Sequence, residues 1–394
     1  MRIVLTTESY LPYLSGVTVS VDALARGLGG RGHDVMVLAP RPAGGARPPG
    51  AGSPGPVPLY AWLGSYQLPR LAPPSYRMPW PNPFAPALRR ARAFQPEIVH
   101  AHSPFVTGIL GRRLARAARA PLVFTHHTRF ADYGHYLGPL AGPGSRLTDA
   151  YLRRFWAGSD AVIAPSEDLA TEIRSRMGHG RLEVIPTGVD VAGIRALTPI
   201  DPRVAAAWPA DAIVVASLGR LAPEKSPETV LDALAVAARR EPRFRLLVIG
   251  GGPSEAKLRA RASQADLAGR VDFSGALPRF EALARLAGCD IFAFASRTET
   301  QGLVLAEALA CGLPAVAVDG PGVRDSLREG VDGRIVEAEP ADGRAQRLGS
   351  ALAEVAGSDD DRDRMAEEAR NGAERFALER RIAEVEALYR SVLG

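Results

Sequence analysis

Short, β-branched apolar runs alternate with segments of helical period along almost the whole chain, and the series is written twice. In the first series RIVLTT leads through ESYLPYLSG into VTVSVDALARGLGGRGH, and DVMVLAP closes the unit. Val17, Val21, Leu24 and Leu28 recur there at three- or four-residue steps. Such spacing lays one face of a helix on a sheet, whereas continuous short runs suit strands covered on both faces. EIVHAHSP with a helix over 106–119, PLVFTHHT, AVIAPS with a helix over 167–177 and RLEVIPTGVD continue the pattern. The second series runs IVVASLGR, a helix over 227–239, FRLLVIGGGP, a helix over 255–264, RVDFSGAL, DIFAFAS, a helix over 304–310 and PAVAVDG. Strands alternating with helices in this way predict parallel sheets, so the chain reads as α/β with two doubly wound sheets facing a cleft.

The boundary is expected near residues 190–212, which are polar, proline-bearing and without a strong period. Residues 1–190 then form one domain and 191–373 the other. Residues 374–394 carry Phe376, Ile382, Val385, Leu388 and Val392 on one stripe and are expected to pack back on the first domain. Residues 42–86 stand apart, with 13 prolines among Tyr60, Trp62, Tyr66, Tyr76, Met78, Trp80 and Phe84. That proline density argues against a regular helix or an interior strand, and the segment reads as a long insertion.

Composition narrows the function classes. At 394 residues, 46% hydrophobic and 23% charged, the chain is an ordinary globular sequence. No apolar run approaches the ~18–20 residues of a membrane span, and Met1-Arg2 leads into a strand without a secretory pattern, so the expected compartment is the cytoplasm. Cys289 and Cys311 stand far apart, which argues against a zinc ribbon or a disulfide scaffold. Charge is uneven: residues 1–190 hold 21 arginines and no lysine against 12 acidic residues, while the remainder is slightly acidic. A basic half points to an anionic partner, although arginine-rich usage throughout accounts for part of it.

Ligands of open parallel sheets bind beyond the carboxyl ends of strands, so the residues there are the candidates for a site. Ser15-Gly16 opens a helix whose free N–H groups favour an anion, with a simple turn as the plain alternative. His100, His102, His126 and His127 sit at strand ends on one rim, where a buried structural role is less expected; no carboxylate or cysteine accompanies them at ligand spacing, so no metal is predicted. Arg220 and Lys225 share a loop and offer a fork and a point charge to a diphosphate, or are solvated surface charge. Gly250, Gly251, Gly252 and Pro253 permit close backbone approach but lack dinucleotide spacing. In SRTETQGLVLAEALACGLP, Glu299 precedes a helix and Glu307 lies about two turns in on the same side. One carboxylate there can accept sugar hydroxyls and the other a ribose diol, while the amides of Thr300, Gln301, Gly302 and Leu303 face a phosphate or sugar; an ordinary amphipathic helix is the alternative. Asp359-Asp360-Asp361 reads as a solvated run.

The ordered set Ser15-Gly16, His102, His127, Arg220…Lys225 and Glu299…Glu307 resembles the retaining nucleotide-sugar glycosyltransferases of the GT-B fold, family 4, over nearly the full chain. The resemblance implies two Rossmann-like domains, the C-terminal one holding a nucleotide sugar and the N-terminal one the acceptor. It assigns the diphosphate to Arg220 and Lys225, sugar O3 and O4 to Glu299, the ribose to Glu307, and the sugar and phosphate to the amides of Gln301, Gly302 and Leu303. Gly16 would approach the β-phosphate and His127 the sugar near O6. Gln301 stands where many members have Phe.

Within the family, SYLPYLSGVTVSVDAL, HAHSPF and THHTRFADYGHYLGP look most like bacterial diacylglycerol glucosyltransferases. That likeness implies UDP-glucose as donor, a lipid acceptor and no cofactor or metal. An anionic membrane surface is then expected to meet Arg89, Arg90, Arg92, Arg112, Arg113, Arg116 and Arg119, with Trp80 and the aromatic insertion at the interface and His102 on the acceptor side. Nucleic acid is not expected as a partner. A GDP-mannose-dependent mannosyltransferase, a transferase to a soluble acceptor, and a nucleotide-sugar-binding protein without activity are the alternatives.

Overall fold

The computed structural model describes residues 1–45, 55–67, 75–129 and 141–394. It divides into two compact units, one of Met1–Gly188 with Leu378–Gly394 and one of Val189–Ala377.

The first unit runs β1 (Arg2–Thr6), α1 (Gly16–Gly30), β2 (Asp34–Pro40), β3 (Leu59–Leu63), β4 (Ser65–Tyr66), β5 (Met78–Pro79), α2 (Pro86–Ala93), β6 (Ile98–Ala101), α3 (Val106–Ala118), β7 (Leu122–Thr125), α4 (Ala141–Ala157), β8 (Ala161–Ala164), α5 (Glu167–Met177) and β9 (Leu182–Val184). Its seven-stranded parallel sheet has the order β3-β2-β1-β6-β7-β8-β9. The runs that read as continuously apolar are buried on both faces, as Ile3, Val4, Leu5, Val99, Val123 and Val162 show.

The second unit runs α6 (Val191–Arg195), α7 (Pro202–Ala205), β10 (Ile213–Leu218), α8 (Pro227–Arg240), β11 (Phe244–Ile249), α9 (Glu255–Ala262), β12 (Val271–Gly275), α10 (Arg279–Ala287), β13 (Ile291–Phe294), α11 (Leu303–Ala310), β14 (Ala315–Val318), α12 (Val323–Ser326), β15 (Gly333–Val336), α13 (Arg344–Ala356) and α14 (Asp359–Ala373). Its parallel sheet has the order β12-β11-β10-β13-β14-β15. Strand order reverses between β1 and β6 in one unit and between β10 and β13 in the other, and a ligand crevice opens at such a point.

The last helix, α15 (Leu378–Leu393), joins the first unit, where Ile382, Val385, Leu388 and Tyr389 are buried with α1 and β1 residues. One sequence expectation changes here. Phe376 does not lie on that helix stripe: it sits in a 3-10 turn (Glu374–Phe376) and is buried in the core of the second unit. Residues 190–212, where the boundary was expected, begin just past the division between the units at Gly188 and Val189. They form α6 and α7, helices too short to show a period, capped by the side chains of Asp190 and Asp201, with Val191 and Ile194 buried. Within 42–86 the described residues include β3, an edge strand pairing with β2, whose Tyr60 and Trp62 rings stack at 4.7 Å. An edge position is what a proline-flanked strand tolerates.

Candidate functional site

In the second unit, the loop after β10 carries Arg220 and Lys225. Gly250 lets that loop close on the end of β11: a Cβ there would stand 1.9 Å from the carbonyl oxygen of Gly219. The glycine run therefore admits the chain's own backbone. Lys225 ends a 3-10 turn (Pro223–Lys225), and its Nζ lies 2.5 Å from Glu299 Oε1 in the loop after β13. Thr298 Oγ1 donates to the carbonyl of Glu224 across the same two loops. Two segments 74 residues apart are thus joined at the β10/β13 reversal point. Arg220 is exposed, and its side chain makes no hydrogen bond or ion pair among the described residues.

Beyond Glu299 the chain enters α11 through Gln301, buried, and Gly302, which caps the helix at φ 73°. Only glycine holds that left-handed conformation without strain. Ser326 Oγ donates to the carbonyl of Gln301 and anchors the turn. The first-turn N–H groups of α11 have no carbonyl one turn back, so this end carries donors and the positive end of the helix dipole. Glu307 does not stand open beside Glu299. It is 3% exposed and its Oε1 lies 2.6 Å from Arg279 Nη1 at the start of α10. Sequence inspection missed Arg279, because nothing in the local pattern of α10 points to a carboxylate 28 residues on.

In the first unit, Ser15 caps α1 and exchanges hydrogen bonds with Thr18, and Gly16 at the helix start is exposed. A Cβ at Gly16 would meet nothing within 4 Å, so no packing in this unit demands glycine there.

The four histidines correct the expectation that a buried role is unusual at that rim. His100, His102 and His126 are buried and His127 is half-buried. His100 shares hydrogen bonds with Tyr389 Oη (2.6 Å) and Thr125 Oγ1 (2.7 Å). Trp156 Nε1 donates to His126 Nδ1. His102 Nδ1 and His127 Nε2 share a 2.9 Å hydrogen bond. Burial, with the neighbouring charge of His127 behind it, pushes His100 and His126 down to about 3. Burial alone takes His127 to about 4, and burial followed by His100 and His127 holds His102 well below its ordinary value. All four are neutral near pH 7, so His127 can exchange hydrogen bonds with a hydroxyl but is not a cationic acid there. His102 Nε2 has no hydrogen-bond partner among the described residues, and its ring lines a pocket with Ser20, Thr125 and Arg381.

The strand ends of the first unit, where the sequence singled out histidines, also carry a carboxylate, Glu8, two residues past β1. Arg112 departs from the headgroup-facing set: its guanidinium covers the Phe155 ring at 4.4 Å and donates to the Phe155 carbonyl. Burial there lowers its pKa. Arg89, Arg90, Arg92, Arg113, Arg116 and Arg119 are exposed, as are Trp80 and Phe84. Residues 46–54 and 68–74 of the insertion, and 130–139 of THHTRFADYGHYLGP with the next residue, 140, lie outside the described residues. Among the described residues no group of three or more His, Cys, Asp or Glu side chains is placed to hold a metal ion, and no helix is long and apolar enough to cross a membrane.

Comparison with known proteins gives two matches in tandem: residues 14–192 with Glycosyltransferase Family 4 and residues 202–372 with Glycosyl transferases group 1. The alpha-monoglucosyldiacylglycerol synthase of Streptococcus pneumoniae is 29% identical over 86% of this chain and 76% of its own length. The GDP-mannose-dependent alpha-mannosyltransferase of Mycolicibacterium smegmatis is 30% identical over 82% of this chain and 81% of its own. Among solved structures, Anabaena Alr3699/HepE in complex with UDP superposes with a TM-score of 0.73 at 20% identity, covering 99% of this chain and all of that one.

Proposed function

This chain belongs to glycosyltransferase family 4 and has the GT-B fold, and from that premise we propose that it is a retaining, metal-independent hexosyltransferase moving glucose from UDP-glucose to the hydroxyl of a lipid such as diacylglycerol. The meeting of Lys225 and Glu299 at the end of β10 and β13 carries the reading. A diphosphate arriving at Arg220 gives Lys225 a better partner than Glu299 and releases that carboxylate to accept hydroxyls of the sugar. Glu307, whose Oε1 is held by Arg279, takes the ribose diol through its other oxygen, the amides of Gln301, Gly302 and Leu303 take phosphate and sugar oxygens, Gly16 admits the β-phosphate and His127 bonds the sugar near O6.

In the reaction the bond from the anomeric carbon to the phosphate oxygen breaks, the acceptor oxygen bonds that carbon on the same face, and the hydroxyl proton passes to the departing phosphate. The negative charge growing on the leaving group is met by Arg220, Lys225 and the α11 N-terminus, each fixed contact of this kind being worth roughly 2.7–4 kcal/mol.

The glucose and diacylglycerol assignments follow the synthase relative, and the mannosyltransferase relative favours a second reading with GDP-mannose. Turnover of sugar nucleotides with diacylglycerol in mixed micelles separates them: transfer from UDP-glucose is expected, and turnover of GDP-mannose alone overturns the first reading. The enzyme is proposed to work at the cytoplasmic face of a membrane, where exposed Arg89, Arg90, Arg92, Arg113, Arg116 and Arg119 meet anionic headgroups at ~1 kcal/mol each. Co-sedimentation with vesicles should rise with anionic lipid and fall on replacing these arginines by glutamine; binding indifferent to both removes the membrane part.

A further inference from the structure

Glu8 is a carboxylate that none of these steps uses. Its Oε2 accepts hydrogen bonds from Thr107 N (3.0 Å) and Thr107 Oγ1 (2.7 Å) in the first turn of α3. That clamp fixes the side chain through one oxygen and the helix dipole favours its charge. Oε1 is shielded from solvent and has no hydrogen-bond partner among the described residues. A buried acceptor left in this state forgoes ~1–3 kcal/mol, so it is a place for a ligand's donor.

The neighbours narrow the donor's chemistry. Burial and then the charge of Glu8 push Tyr76 up to about 12, while burial raises Tyr151 against the opposing charge of Arg112, with Glu8 adding a smaller push, so both phenols stay neutral. Tyr151 Oη donates to the carbonyl of Pro104 and is committed elsewhere. Each ring has an aromatic neighbour, Tyr76 edge-on to Tyr13 at 5.0 Å and Tyr151 parallel to Phe105 at 6.3 Å. A fixed acceptor oxygen near aromatic rings suits an O–H on a carbon skeleton with exposed C–H faces, and a carboxylate repels anions.

We propose that Glu8 Oε1 accepts the hydrogen bond of the acceptor's hydroxyl and is the group by which the first unit selects and orients a neutral, hydroxyl-bearing acceptor. The inference rests on the transferase reading and adds the acceptor side to it.

Glu8→Gln tests it. The amide carbonyl can keep the Thr107 clamp while an NH2 donor replaces Oε1. The readouts are the acceptor KM and, without acceptor, the slow hydrolysis of the nucleotide sugar. The expected result is an acceptor KM raised about tenfold or more with hydrolysis unchanged, corresponding to one lost hydrogen bond to a charged group. An unchanged KM, or an equal loss in both readouts, overturns the assignment. Glu8→Asp, which keeps the charge and withdraws the oxygen by one methylene, should shift KM the same way and serves if the amide variant does not fold. Should the wild-type enzyme use a soluble polyol and not diacylglycerol, the lipid reading fails while the same comparison on that polyol still decides the role of Glu8.

Discussion

Arg279 and Glu307 illustrate what single residues do here. Their 2.6 Å contact compensates a carboxylate that is almost wholly buried. Arg279→Gln leaves that charge without its cation, at ~3–5 kcal/mol, and should lower the melting temperature of the second unit by roughly 10 °C or more. The double variant Arg279→Met with Glu307→Leu should recover most of that loss, and a single variant melting like the parent would show the pair to be dispensable. Lys225→Ala removes one fixed positive group, so kcat should fall roughly 10²–10³-fold in steady-state assays of sugar transfer, with the melting temperature little changed because the Lys225–Glu299 pair is partly exposed. Glu299 was legible as a candidate from its place before a helix. Its ion pair with Lys225 was not, since no local rule couples residues 74 apart.

Elements decide which of these residues can act. The turn into α11 depends on Gly302 at φ 73°, where an alanine Cβ would also stand 3.1 Å from Leu305 Cδ1. Gly302→Ala should cost about 1–2 kcal/mol and raise the donor KM, measured by thermal melting and by initial rates at varied nucleotide sugar. The helix α15 is held by Glu386, which accepts from Arg31 Nε at 2.5 Å and contacts His33 Nε2 at 3.0 Å, and by the Tyr389–His100 hydrogen bond. Tyr389→Phe leaves His100 Nδ1 without its partner in the core and should destabilise the first unit by ~1–3 kcal/mol; a melt matching wild type would mean that a different group satisfies the ring. The apolar stripe of this helix was readable from its period, but Phe376 was assigned to the wrong core because the chain breaks helical period just there.

For the molecule as a whole, all seven histidines fall in residues 1–188, within the first unit. Four of them have depressed pKa values in the folded state, so between about 3 and the ordinary 6.5 the unfolded chain binds more protons than the folded one. The stability they contribute is therefore full above pH 6.5 and is lost as pH falls toward 3, at ~1.4 kcal/mol per unit of depression for each ring. Melting followed from pH 7 to pH 4 should show the first unit's transition dropping well before the second's, and parallel drops would contradict the burial of these rings. The α/β class, the two parallel sheets and the strand-end position of the candidate residues were determined by the sequence alone, because strand runs and helical period are local properties of neighbouring residues. Only tertiary structure decided that Lys225 holds Glu299, that Arg279 covers Glu307, that Arg112 folds onto Phe155 and that Glu8 keeps one oxygen free. Those outcomes depend on which side chains packing brings together from distant parts of the chain, and no periodicity encodes that.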